Sequence, residues 1–130
     1  MTPVEDFRRQ GHTRGRGVSA EEDGVAWLRR RGLEILDRNV EYRAGEIDVV
    51  ARDGDTLCFI EIKARASGRF GGAVRAVGRR KQRQIAAAAA LYLATHAHDG
   101  PCRFDVLAMD ADGTAWRYTY LQEAFELGGA

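Results

Sequence analysis

The sequence shows little that would direct it to a membrane, and we expect neither a signal peptide nor a membrane span in it. No stretch is long and apolar enough to span a bilayer, and the polar start lacks the apolar core of a signal peptide. The two cysteines, Cys58 and Cys102, lack Cys-x-x-Cys spacing and lie in strand-like runs, where a reduced thiol packs as a small apolar group. The histidines show no metal-ligand spacing with cysteine or with an acidic helix. These absences argue against a disulfide framework and a Cys/His metal site, and they predict a cytoplasmic protein without a membrane partner.

Lysine is scarce in this chain, which has 18 arginines and only two lysines, Lys63 and Lys81. Since arginine serves wherever simple positive charge is enough, Lys63 indicates a task that suits a compact ammonium group better than a planar guanidinium. The net charge is only +1, so the molecule as a whole is not a polycation. Any affinity for nucleic acid must therefore come from local clusters of basic side chains.

The most informative stretch consists of two apolar runs, 45–51 and 57–63, on either side of a turn at Asp53-Gly54. An Asp-Gly turn between β-branched and apolar runs predicts a β-hairpin. With a loop of two or four residues, strand alternation places Asp48 on the face of Phe59, Glu61 and Lys63. A three-residue loop would separate them. The other face is then wholly apolar and holds Ile47, Val49, Cys58, Ile60 and Ile62.

Charges inside such apolar arms are costly unless they are paired or bind a metal ion. Two carboxylates beside a lysine suit a divalent cation, because Mg²⁺ prefers oxygen ligands and often takes only one or two carboxylates from a protein. The alternative is a structural salt bridge across the hairpin. The residues leave both interpretations open.

The order Asp48, then Glu61-Ile62-Lys63, resembles the signature of the PD-(D/E)XK nuclease superfamily, with Ile47 where the superfamily name has proline. From about residue 20 to residue 105, the chain is similar to the YraN family of small bacterial proteins, which is related to archaeal Holliday-junction resolvases. The motifs that carry this similarity are Arg38-Asn39, Gly45-Glu46-Ile47-Asp48, Phe59-Ile60-Glu61-Ile62-Lys63-Ala64-Arg65, Phe70-Gly71 and Lys81.

This resemblance implies an endonuclease that depends on Mg²⁺ or Mn²⁺ and hydrolyses phosphodiester bonds in DNA, with branched DNA as one candidate substrate. Asp48, Glu61 and Lys63 would be catalytic. Asp48 and Glu61 would bind the metal, and Glu21 in the first helix would help to hold it. From the residues alone, Glu21 could equally be an acidic residue favoured by the N-terminal helix dipole.

The order of predicted elements implies a single α/β domain. Residues 1–18 are expected to form a flexible basic tail, and residues 19–130 the nuclease-like domain. The patterns predict helices over 19–31 and 77–95, a short helix over 122–127, and strands over 33–40, the two hairpin arms, 103–109 and 114–120. The expected fold is a restriction-endonuclease-like core, with a mixed five-stranded sheet flanked by helices.

Basic residues cluster after the hairpin and at the start of the long helix, where they are either a solvated helix end or a phosphate-binding patch. The predicted nucleic-acid-binding set is Arg65, Arg69, Arg79, Arg80, Lys81 and Arg83. Asp105 is expected to pair with a nearby arginine. Two alternatives to a nuclease stay open, namely a nucleic-acid-binding protein without efficient cleavage and a protein-interaction module. A homodimer is also left open.

Overall fold

A computed structural model describes residues 3–9, 18–66 and 77–126. Two helices and six strands follow one another along the chain. Their order is β1 (Pro3–Arg9), α1 (Val18–Arg30), β2 (Glu34–Tyr42), β3 (Gly45–Asp53), β4 (Thr56–Arg65), α2 (Arg79–Thr95), β5 (Cys102–Asp112) and β6 (Ala115–Phe125). Neither described helix is long and apolar enough to cross a bilayer.

The strands form one mixed sheet in the order β1-β6-β5-β4-β3-β2. Neighbouring strands are antiparallel except β4 and β5, which are parallel. Parallel neighbours need a long crossover, and α2 lies within the connection from β4 to β5. The predicted α/β class with a mixed sheet flanked by helices is confirmed.

The helices cover opposite faces of this sheet, because adjacent residues of one strand pack against different helices. Val49 belongs to the core on the α1 side, which includes Trp27 and Leu28, whereas Val50 belongs to the core on the α2 side. Trp27 stacks on Tyr118 with ring centroids 5.2 Å apart. The buried face of α2 is the stripe that helical periodicity predicts, and its members are Ile85, Ala88, Ala89 and Tyr92.

The N-terminal residues 3–9 form a strand, where the sequence predicts a flexible tail. This strand pairs with β6, from Pro3↔Leu121 to Arg9↔Ala115, so the sheet has six strands rather than five. Its partner lies at the other end of the chain, which no local pattern reveals. The rest of the predicted tail lies outside the described residues, apart from Val18 at the start of α1.

The short helix predicted over 122–127 is wrong, because β6 continues to Phe125. Phe125 pairs with Phe104 of β5, and their rings stack with centroids 4.9 Å apart. A register shift in β5 between Phe104 and Val106 accommodates this extension. Pairing across the sheet thus decides the conformation of a segment whose own residues are ambiguous.

Candidate functional site

The central hairpin has the two-residue loop that the sequence analysis allows. Asp53 pairs with Thr56, and the loop residue Gly54 has a φ of 65°, a left-handed conformation that favours glycine. The register continues to Val49↔Ile60. Asp48 and Glu61 come next on their strands, and the structure brings them close together as predicted.

One part of the predicted alternation is wrong. Val49, Cys58 and Ile60 lie in the core on the α1 side, as expected, and Ile62 packs against it. Ile47 lies instead in the core on the α2 side. The strict two-residue alternation of β3 therefore breaks at Asp48.

Glu61 is the centre of the site. Its side chain is only 4% exposed, and its Oε2 atom lies 3.7 Å from the Nζ atom of Lys63 and 3.7 Å from that of Lys81. Its other oxygen, Oε1, is buried without a hydrogen-bond partner. Both lysines of the chain thus meet at one carboxylate that is only partly satisfied.

The position of Lys81 is a finding that the sequence analysis missed, since it assigned this residue only to the basic patch on α2. Lys81 lies in the first turns of α2, and its side chain is 30% exposed. The scarcity of lysine could have revealed it, because the argument applied to Lys63 holds equally for the only other lysine.

Asp48 is held by the backbone of the neighbouring strand. Its Oδ2 accepts a hydrogen bond of 2.8 Å from the backbone N–H of Ile62. Burial raises the pKa of Asp48, and the negative charge of Glu21 raises it further. The Ile62 hydrogen bond, a side-chain hydrogen bond with Glu61 and the charge of Lys81 lower it.

The two central carboxylates perturb each other. Burial and then the charge of Asp48 raise the pKa of Glu61 to about 7, although Lys81 and Lys63 both lower it. Raised pKa values of this kind arise when carboxylates of like charge share a poorly solvated site. Such a site favours a bound proton or a bound cation near neutral pH.

Glu21 lies on α1 and is drawn toward an arginine of β2. Its Oε1 is 3.6 Å from the guanidinium of Arg38, which also donates a hydrogen bond of 3.1 Å to Glu22. Among the residues with described positions, no three His, Cys, Asp or Glu side chains are grouped as metal ligands. The structure therefore brings Asp48 and Glu61 together, whereas Glu21 acts on Asp48 through its charge.

Most of the predicted nucleic-acid-binding residues are exposed near this site. Arg65 is exposed at the end of β4, two residues beyond Lys63. Exposed arginines also flank Lys81 on the first turns of α2, namely Arg79, Arg80 and Arg83. Arg69 lies outside the described residues.

An open cleft of about 320 Å³ lies between the β2–β3 turn and the start of α2, and Lys81 and Arg43 line part of it. The turn approaches α2 so closely that a Cβ atom on Gly45 would lie 2.4 Å from the carbonyl oxygen of Gln84. Glycine is required at position 45, because it lets the β2–β3 turn, which forms one wall of the cleft, lie directly against α2.

The expected ion pair of Asp105 is confirmed at a separate place in the fold. Arg103 Nε donates to both oxygens of Asp105 at 3.0 Å. The hydroxyl of Tyr120 and the backbone N–H of Glu123 also donate to this carboxylate. Asp105 is fully buried, and hydrogen bonds satisfy both of its oxygens.

The fold and this site define a small α/β protein in which a half-buried aspartate and a buried glutamate lie beside two lysines. The chain belongs to a family described as Uncharacterised protein family UPF0102, whose sequence profile matches residues 20–109. It is 46% identical to a UPF0102 protein of Cupriavidus taiwanensis over 88% of this chain and 86% of the relative. It is 44% identical to one of Shewanella loihica (78% and 89%) and 42% identical to one of Geobacter metallireducens (89% and 96%).

Proposed function

We propose that this protein is a metal-dependent nuclease that hydrolyses phosphodiester bonds in DNA. The observation that carries the proposal is the state of Glu61, a buried carboxylate with one unpartnered oxygen, placed between Asp48 and two ammonium groups. A salt bridge built only for stability would satisfy that oxygen. The resemblance to the YraN family and the PD-(D/E)XK signature supplies the reaction class.

The chemistry of the acidic side chains fits Mg²⁺ or Mn²⁺. Asp48 and Glu61 offer carboxylate oxygens, the ligands that these hard cations prefer, and Mg²⁺ commonly completes its shell with water. Glu21 adds negative charge on the α1 side. When bound, such a cation lowers the pKa of a water molecule and offsets charge on a phosphoryl oxygen.

The two lysines have a role on the substrate side of Glu61. Lys63 and Lys81 approach the same carboxylate oxygen from β4 and from α2. Their side chains are 31% and 30% exposed, so both ammonium groups are accessible to a phosphate while they remain near the carboxylates. There they would orient the scissile phosphate and stabilise the charge that develops on it during hydrolysis.

The start of α2 suits a polyanionic ligand. Its first turn contains no acidic residue, and the exposed basic residues lie at the end of the helix where its dipole disfavours cations. Helix stability therefore does not explain Arg79, Arg80 and Arg83. Contact with the DNA backbone does, and Arg65 extends this surface along β4.

A second candidate is a nucleic-acid-binding protein without efficient cleavage. One observation favours it, namely that the described part of the chain holds no group of three or more possible metal ligands at this site, and both lysines pair with Glu61. This candidate shares the basic surface with the nuclease and differs from it in the outcome of a cleavage assay.

The test incubates the purified protein with labelled linear, flapped and four-way DNA, with and without Mg²⁺ or Mn²⁺. We expect metal-dependent cleavage that Asp48→Asn and Glu61→Gln abolish. Asp55→Asn is the matched control, because Asp55 is an exposed carboxylate in the loop of the same hairpin, at the end away from Asp48 and Glu61. It should leave cleavage unchanged.

The other outcomes distinguish the alternatives. Binding of DNA without cleavage by the wild type would support the second candidate. Neither binding nor cleavage would favour a protein-interaction module in which the charged cluster is structural. Cleavage that persists in both site variants would show that a contaminating nuclease is responsible.

A further inference from the structure

The break in strand alternation at Asp48 is shared by the neighbouring strand. On β3, Val49 packs on the α1 side and Ile47 on the α2 side. On β2, Arg38 contacts the acidic residues of α1, whereas Val40 packs on the α2 side. Residues two apart on a regular strand share a face, so both strands change face over one residue.

The two breaks lie opposite each other in the ladder. The register pairs Arg38 with Val49 and Val40 with Ile47, so the residues between them, Asn39 and Asp48, are in register. Asn39 has a φ of 53°. Residues other than glycine rarely adopt this left-handed conformation, and asparagine is among those that tolerate it best.

This geometry has a direct consequence for Asp48. On a regular strand its side chain would point to the α2 face together with Val50. At the break it instead bonds the Ile62 N–H, just beyond the last β3–β4 pair, Val49↔Ile60. It therefore interacts with charges from both layers, Glu21 on α1 and Lys81 on α2.

We propose that Asn39 is a positioning residue whose left-handed backbone places the carboxylate of Asp48 between the two helical layers. This role rests on the proposed metal site, since it supplies the geometry in which Asp48 and Glu61 act together. The exposed side chain of Asn39 is not required for it. What matters is a residue that adopts a positive φ.

The test compares substitutions that permit or oppose this conformation. Asn39→Gly keeps a positive φ accessible, Asn39→Val opposes it strongly, and Asn39→Ala opposes it less. Glu123→Val is the matched control, because Glu123 also has a φ of 53° but lies beside Asp105 on β6. Two properties are measured: the NMR shift and hydrogen exchange of the Ile62 amide in metal-free protein, and the affinity for Mn²⁺.

We expect Asn39→Gly to match the wild type in both properties. Asn39→Val should lose protection of the Ile62 amide and bind Mn²⁺ about ten- to a hundredfold more weakly, the usual effect of losing a residue that orients a metal ligand. If that variant does not fold, Asn39→Ala should show the same changes at smaller size. Glu123→Val should lose stability while keeping the Ile62 amide and the Mn²⁺ affinity of the wild type.

The proposal is overturned if a folded Asn39→Val or Asn39→Ala variant keeps the wild-type Ile62 amide and Mn²⁺ affinity. It is also overturned if Glu123→Val disturbs the site equally, or if Asn39→Gly loses both properties. A wild type that binds no Mn²⁺ would refute the proposed function, and the Ile62 amide would still decide the role of Asn39.

Discussion

Replacing Asp48 by asparagine separates a metal site from a structural ion pair. The change removes one of two repelling carboxylates and keeps an oxygen that can accept the Ile62 hydrogen bond. We expect the metal-free variant to be at least as stable as the wild type at pH 8, and any metal-dependent cleavage to disappear. The ion pairs support this expected stability, because Lys63 and Lys81 contact Glu61 and would keep that partner when the charge of Asp48 is removed.

The magnitude follows from the pKa of Glu61, which the folded state raises from 4.5 to about 7. At about 1.4 kcal/mol per tenfold change, this corresponds to about 3 kcal/mol of free energy of unfolding. Because the folded pKa is the higher one, this contribution is fully present below pH 4.5 and is lost as the pH rises through about 7. Burial is the largest cause of this shift, and the charge of Asp48 is the next. Removing the charge of Asp48 recovers part of this free energy when Glu61 is ionised. Weakening the hydrogen bond to the Ile62 N–H costs up to about 1 kcal/mol, so we expect a net gain in stability of about 0–1 kcal/mol at pH 8.

The assay is thermal and denaturant unfolding at pH 5 and pH 8, with and without Mg²⁺. The advantage of Asp48→Asn over the wild type should be larger at pH 8, where Glu61 is ionised. Magnesium at about a hundred times its dissociation constant should stabilise the wild type by about 2.7 kcal/mol and the variant much less. Asp55→Asn, the control in the hairpin loop, should follow the wild type throughout. A loss of several kcal/mol in Asp48→Asn, together with no magnesium effect on the wild type, would refute the reasoning and identify a structural pair.

Three further predictions concern the surroundings of the site. Removing the charge of Lys81 with Lys81→Ala should raise the pKa of Glu61, so the fall in stability with rising pH should move to higher pH in unfolding curves. Asp105→Asn should destabilise the fold by about 1–3 kcal/mol, because it weakens a buried hydrogen-bond network while Asp53 still pairs with Arg103, and calorimetry should show unchanged Mg²⁺ binding. Alanine at three arginines should reduce the salt slope of DNA binding by about 0.9 for each phosphate that is no longer neutralised, and an unchanged slope would identify a solvated helix end. These arginines are Arg79, Arg80 and Arg83.

Local patterns were sufficient to predict the centre of the fold. An Asp-Gly turn and period-two alternation predicted the hairpin and the proximity of Asp48 and Glu61, because pairing between consecutive strands depends mainly on the loop between them. The same alternation misplaced Ile47, since a left-handed residue on a different strand sets the face of that segment. Lys81 reaches the site through the packing of α2, which its own helical pattern does not specify. Likewise, β1 forms by pairing with β6, which is distant in sequence. The end of β6 stays extended because it pairs with the start of β5.

Asp105 and Glu61 are both buried carboxylates, and they differ in a way that bears on function. The Asp105 carboxylate accepts hydrogen bonds from Arg103, from the Tyr120 hydroxyl and from the Glu123 N–H, so the fold compensates the cost of burying its charge. Glu61 is almost as buried, but it has an orphaned oxygen, a repelling neighbour and lysines at 3.7 Å rather than in hydrogen-bond contact. A chain that completes one buried carboxylate and leaves another incomplete retains the second at a cost in stability. A cation bound between Asp48 and Glu61, with a phosphate beside the two lysines, would supply the missing contacts, and this argument favours a reactive centre over a structural one.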